Sequence, residues 1–167
     1  MAISKLSGAT ATDNWVQIAT NTSTAGTKSF TSIPTTYRKL MVRWHTIVPN
    51  TNVVDLYIRL NGVSTANTYV SAYIPFRSSV VNPSFANDGF MLDNSTSDTN
   101  SYLGFMVIES SNTTNSKIAN GVNAISTGDV EGGYVEGLFV ATAAVTQLDF
   151  LVTSGTISGT VTLYGAI

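Results

Sequence analysis

The chain has no cysteine among its 167 residues, which excludes disulfides, thiolate metal sites and a cysteine nucleophile. It has one histidine, so a Ser-His-Asp triad would have to be built on His45, and no Gly-x-Ser-x-Gly elbow supports one. A histidine-based metal site fails for want of ligands. Charge is scarce: 11% of residues carry one, against about 25% in ordinary domains. Eight basic and ten acidic residues leave a net charge of −2, so there is no basic field to hold phosphates, and nucleic acid is not an expected partner. No apolar run approaches the roughly 18 residues of a membrane helix, and no long segment has helical period. The opening MAISKLSGAT lacks the apolar stretch of a signal peptide. These absences lead us to expect no membrane partner, no cofactor, no metal, and assembly in a reducing cytoplasm.

What is present points to strands. Hydrophobic residues make up 43% of the chain and mean hydropathy is +0.17, enough for a folded core. The polar surface is Thr, Ser and Asn, about a third of the chain. Thr packs well on a pleated face, and Asn and Ser satisfy the backbone in turns. The three Asn-x-Ser/Thr triplets at Asn21, Asn94 and Asn112 are what such a composition produces by chance, and glycosylation is not expected.

Residues 30–62, FTSIPTTYRKLMVRWHTIVPNTNVVDLYIRLNG, organise the pattern. Leu40, Val42 and Trp44 alternate with Met41, Arg43 and His45. Val54, Leu56, Ile58 and Leu60 alternate with Asp55, Tyr57, Arg59 and Asn61. A two-residue period places one face in a core and the other toward water or a partner. The turn-rich Pro49-Asn50-Thr51-Asn52 predicts that the two runs pair as a hairpin, and Asn61-Gly62 predicts a turn after them. Further strands are expected at 14–20, 28–32, 69–76, 102–109, 117–126 (one or two), 134–144, 146–153 and 158–167, with a short apolar run at 89–92. Residues 77–88 and 93–101 read as loops and 129–133 (DVEGG) as a turn. Residues 1–8 read as an N-terminal arm, either frayed or docked on another subunit, and 9–167 as a single domain. About ten to twelve strands with very little helix predict an all-β, jelly-roll-like antiparallel β-sandwich.

Few side chains form a constellation with chemistry in it. Asp88, Asp93 and Asp98 share a region with several Asn, but residues 93–100 lack the glycine and closing Glu of a calcium loop, so they read as solvated. Asp129, Glu131 and Glu136 are the candidates for a paired-carboxylate site, which needs a spacing across strands that a sequence does not display. No catalytic, cofactor-binding or metal-binding residue is assigned, and the chain is not expected to be an enzyme. The contact candidates are Tyr57 with Asp55 and Arg59, and Tyr102 with Met106 on the strand whose two faces are both mostly apolar. Tyr57 reads either as an ordinary cross-strand pair or as a ring for a subunit or sugar contact.

Three phrases, FTSIPTTYRKL (30–40), LYIRLNG (56–62) and GTVTLYG (159–165), occur in an order that resembles a β-sandwich module of bacteriophage virion proteins. They span nearly the whole chain, although residues 80–123 match no phrase. The resemblance implies a structural role at the virion surface, as a capsid decoration or cement protein, a head-fibre knob or a tail-fibre head. It implies a homo-oligomer, commonly a trimer, with the major capsid protein or another virion protein as partner. No repetitive shaft precedes the domain, which favours the decoration or knob role. The alternative implied function is a head that binds a host-surface glycan or other receptor.

Overall fold

The computed structural model describes residues 14–76, 83–94, 96–126 and 130–167, with Val130 described by its backbone alone. The expected arm at residues 1–8 and Asp129 lie outside these residues. Twelve strands are present and no described residue is helical. They are β1 (Val16–Asn21), β2 (Thr27–Phe30), β3 (Lys39–Pro49), β4 (Leu56–Leu60), β5 (Tyr69–Phe76), β6 (Ser84–Ala86), β7 (Phe90–Asp93), β8 (Ser101–Ile108), β9 (Lys117–Ser126), β10 (Val130–Phe139), β11 (Leu148–Val152) and β12 (Ile157–Ala166).

They form two antiparallel sheets, an eight-stranded one in the order β1-β12-β3-β8-β9-β10-β5-β6 and a four-stranded one in the order β2-β11-β4-β7. Without β5, β6, β9 and β10, the orders become β1-β12-β3-β8 and β2-β11-β4-β7, the two four-stranded sheets of a jelly roll. The four additional strands come from two excursions of the chain, one between β4 and β7 and the other between β8 and β11. Both widen the same sheet beyond β8. The molecule is therefore a jelly-roll body with a one-sheet extension, as the alternating sequence predicts in class.

The core lies between the sheets. Leu40, Val42 and Trp44 of β3 meet Leu56, Ile58 and Leu60 of β4 and Leu148 and Phe150 of β11. Trp44 and Phe150 pack at 5.6 Å between ring centroids. The indole NH of Trp44 donates to Asn123 Oδ1 (3.0 Å), and Asn123 Nδ2 donates to the Leu92 carbonyl (3.2 Å). That buried amide ties β3 and β9 to β7 of the other sheet, and its loss would strand polar groups in the core.

Beneath the extension, the packing from the smaller sheet comes from β7. Inward-facing glycines bring the layers together. A methyl group on Gly104 would lie 2.6 Å from the Trp44 indole, one on Gly137 2.9 Å from the Phe90 ring, and one on Gly133 inside the Tyr73 ring. Gly132-Gly133 lies within β10, and the expected turn at 129–133 is corrected for Val130, Glu131, Gly132 and Gly133.

The expected hairpin is also corrected. β3 pairs with β12 and β8, whereas β4 pairs with β11 and β7 in the opposite sheet. Residues 50–55 therefore carry the chain across the sandwich, as consecutive jelly-roll strands require. The Asn61-Gly62 turn is present: both residues have positive φ (53° and 67°), and Val63 N donates to the Leu60 carbonyl at 3.0 Å. Asn61 Oδ1 accepts from Thr146 N (2.9 Å), and its Nδ2 donates to the Ala144 carbonyl (2.9 Å), pinning the turn to the loop before β11. Two lysines, Lys28 and Lys117, are fully buried. Their stems are covered and their ammonium groups donate to nearby loop carbonyls, of Ser23 for Lys28 and of Thr113 and Asn115 for Lys117. Desolvation holds both lysines below their ordinary pKa.

Candidate functional site

Strand alternation divides the outer surface of the eight-stranded sheet into two halves. One lateral row, followed from strand to strand, reads Thr20, Thr162, Arg43, Phe105, Val122, Tyr134, Ile74. The next reads Gln17, Tyr164, Met41, Val107, Asn120, Glu136, Ala72, Phe85. Polarity changes between β3 and β8. On β1, β12 and β3 the outer face carries hydroxyls, His45 and Arg43. On β8, β9, β10 and β5 it carries Leu103, Phe105, Ile118, Tyr134, Val70 and Phe76, each more than two-fifths exposed. Phe76 and Tyr134 meet edge to face at 4.8 Å. Glu136 and Asn120 are the polar interruption.

The sequence predicted contacts on β8 but on its other face. Tyr102 and Met106 are buried in the core and are corrected as contact residues. The outward set is Leu103, Phe105 and Val107. Both faces of the strand are apolar, so alternation alone cannot orient it.

Asp55, Tyr57 and Arg59 do come together, on the outer face of the smaller sheet. The Tyr57 hydroxyl lies 3.4 Å from Asp55 Oδ2, and the Arg59 guanidinium carbon lies 5.7 Å from the centre of the Tyr57 ring. Arg59 donates from Nη2 to Asp88 Oδ2 (2.6 Å) and from Nε to the Asp88 carbonyl (2.9 Å). That grip draws residues 87–89 across β4, with Gly89 against the Tyr57 ring. Tyr57 is 5% exposed as a result, which corrects its reading as an open stacking ring. Burial, reinforced by the charges of Asp55 and Asp88, pushes its hydroxyl up to about 12. Tyr69, whose hydroxyl accepts from Leu60 N at 2.8 Å, is likewise pushed up to about 12 by burial.

Beside this cluster is a depression of about 480 Å³ whose walls include Asn67, Phe85, Asn87 and Asp88. Phe85 is 75% exposed on the edge strand β6. Residues 77–88 read as loop, so this strand and its ring were not anticipated. The available signal was an isolated aromatic between Asn82-Pro83 and Asn87.

The acidic candidates separate. Asp88 is committed to Arg59, Asp93 is buried at the end of β7, and Asp98 is exposed, its backbone NH donating to Asn52 Oδ1. Glu136 faces outward from β10, whereas Glu131 pairs in register with inward-facing Ile125 and so has the opposite orientation. Among the described residues, no three His, Asp or Glu side chains converge. His45 lies on the polar half with its Nδ1 2.6 Å from Thr46 Oγ1, in a depression of about 260 Å³ shared with Arg43, Thr160, Thr162 and Tyr164.

No family model matches this chain, and no curated protein matches it. Among solved structures, an aerolysin-like protein of Bombina maxima shares 10% identity, with 90% of this chain and 93% of that one covered, at a TM-score of 0.16. A likeness that faint carries no argument.

Proposed function

We propose that this jelly-roll chain is a non-enzymatic structural component of a bacteriophage particle, a capsid decoration, cement or head-fibre knob protein, that works as a homo-oligomer. The observation that carries the oligomer is the apolar half of the large sheet. At roughly 150–200 Å² for a fully exposed large side chain, its six exposed residues and the partly buried Ile74, Val107, Val122 and Leu138 present on the order of 600–700 Å². A monomer's largest apolar patch is roughly 300–600 Å², whereas each partner in a standard interface buries about 800 Å². The patch thus exceeds the usual monomer range and approaches one side of a standard contact, and its occupant in this reading is a second copy of the chain. The sparse charge supports the same reading, since few ions need desolvating on contact. The virion setting rests on the three ordered sequence phrases; it makes the oligomer a trimer and the capsid lattice its partner.

Light scattering on the purified chain and on Phe105→Asp tests this. We expect a three-chain particle for the parent, capture of that particle by empty capsids, and dissociation of the variant while its circular dichroism stays that of the folded chain. A monomeric parent, or a variant with unchanged mass, overturns assembly through this face.

A further inference from the structure

We propose that the depression beside β4, β5 and β6 is a binding site for a neutral saccharide, with Phe85 as the stacking ring and Asn67, Asn87 and Asp88 as hydroxyl partners. The depression adjoins the apolar half of the large sheet and shares Val70 with it, but the reading needs no second copy of the chain. It begins from an anomaly: Phe85 is 75% exposed on a three-residue edge strand, at the mouth of a concavity of about 480 Å³. That volume lies in the range of roughly 300–1,000 Å³ usual for small-ligand sites. An aromatic face is electron-rich, and the C–H bonds on one side of a pyranose are weakly positive, so a sugar ring lies flat on such a wall.

The polar groups fit a hydroxyl-rich ligand. Asn67 and Asn87 each offer an amide oxygen and an amide NH₂, which accept from and donate to sugar hydroxyls. Asp88 is held in place before any ligand arrives: its Oδ2 accepts from Arg59 Nη2 at 2.6 Å and its carbonyl from Arg59 Nε at 2.9 Å. The Asp88 side chain remains 35% exposed, which leaves the carboxylate accessible as an acceptor. The pair also sets the charge of the site. Arg59 neutralises Asp88, so a cationic ligand gains little, and an anionic one finds no free cation among the lining residues. A neutral ring with one apolar face and several hydroxyls is the chemistry that remains. Tyr57 also lines the depression but is almost wholly buried, and its part here is to support Arg59.

The test is ligand-observed NMR and calorimetry with a panel of neutral hexoses and N-acetylhexosamines, beside uronic acids as the anionic arm. We expect millimolar binding of at least one neutral sugar, weakened about tenfold by Phe85→Ala, the loss of one stacking contact, and also weakened by Asn87→Ala. Both substitutions are at exposed positions and leave folding intact, checked by melting temperature. Phe85 ends the outer row of the large sheet, at the margin of the apolar half, so Phe85→Ala should weaken sugar binding and leave the solution mass unchanged, the reverse of Phe105→Asp. Absence of neutral-sugar binding, selective binding of the uronic acids, or binding indifferent to Phe85→Ala and Asn87→Ala would each overturn the proposal.

Discussion

The two halves of the large sheet's outer face share a backbone and differ in nearly everything the backbone displays. On β1, β12 and β3, part of the jelly-roll body, the exposed row is Thr20, Thr162 and Arg43. On β8, β9, β10 and β5 the same row continues as Phe105, Val122, Tyr134 and Ile74. A sheet face in contact with water alternates apolar-in, polar-out, and β1, β12 and β3 follow that rule. β8 and the extension depart from it, being mostly apolar on both faces. Their inner face is unusual as well, with Gly104 of β8 and Gly121, Gly133 and Gly137 of the extension where β3 and β12 have Leu40, Val42 and Leu163. The comparison teaches that the extension is built thin, with rings lowered onto glycines, and that its outer face was not composed for water alone.

The largest effect on this comparison comes from the point where body and extension are joined inside. Trp44→Ala removes the indole that fills the space over Gly104, packs on Phe150 and donates to Asn123. We expect a loss of about 3–5 kcal/mol in denaturant unfolding. A loss below about 1 kcal/mol would mean that the extension is held by something other than this buried seam. The second effect in size is the dissociation expected for Phe105→Asp. It changes the mass of the assembly and leaves the fold, because the residue is outward on the central strand β8.

Several strands of both the body and the extension were legible in the sequence. Residues 69–76 coincide with β5, and residues 148, 150 and 152 share the inner face of β11 as their alternation requires. Other stretches were harder to read for physical reasons. Gly132-Gly133 resembles a turn, but those residues are in a strand, and Gly133 makes room for the Tyr73 ring. β6 is three residues long, too short for a period to register. On β8 the two apolar faces are equivalent to alternation, and the wrong one was assigned to contacts. The hairpin error has another origin: alternation reports which residues share a face, not which sheet receives the strand. At the candidate sugar site, Asp88 and Arg59 are 29 positions apart in sequence, and only the fold brings them together.

The comparison can be sharpened with Tyr57, an outward-facing residue of the smaller sheet that the chain itself covers. Its folded-state pKa is about 12, above the ordinary value of 10.0. The neutral phenol is thus favoured by folding. That contribution is complete below pH 10 and is lost as the pH rises from there through about 12, because the unfolded chain ionises first. Tyr69 adds to the same loss. Stability should therefore fall between pH 10 and 12 in the parent and fall less in Tyr57→Phe. Parallel pH profiles of the two proteins would place Tyr57 at an open surface, contrary to its burial.

The smallest expected effect is on the polar half, and it decides whether the two halves differ in role. Arg43 is exposed, directly opposite Phe105 in register, one strand away. If the whole outer face took part in assembly, Arg43→Asp would disturb it nearly as much as Phe105→Asp, since the two positions are about 5 Å apart across the ladder. If the boundary between β3 and β8 is the rim of the contact, the substitution changes a solvated charge at the margin. We then expect a stability change within about 0.5 kcal/mol and no change in solution mass at moderate salt, where a rim charge is screened. Dissociation of Arg43→Asp would move the interface onto β3, β12 and β1. Persistence of the oligomer confines it to β8 and the extension, where the chain has placed its apolar side chains.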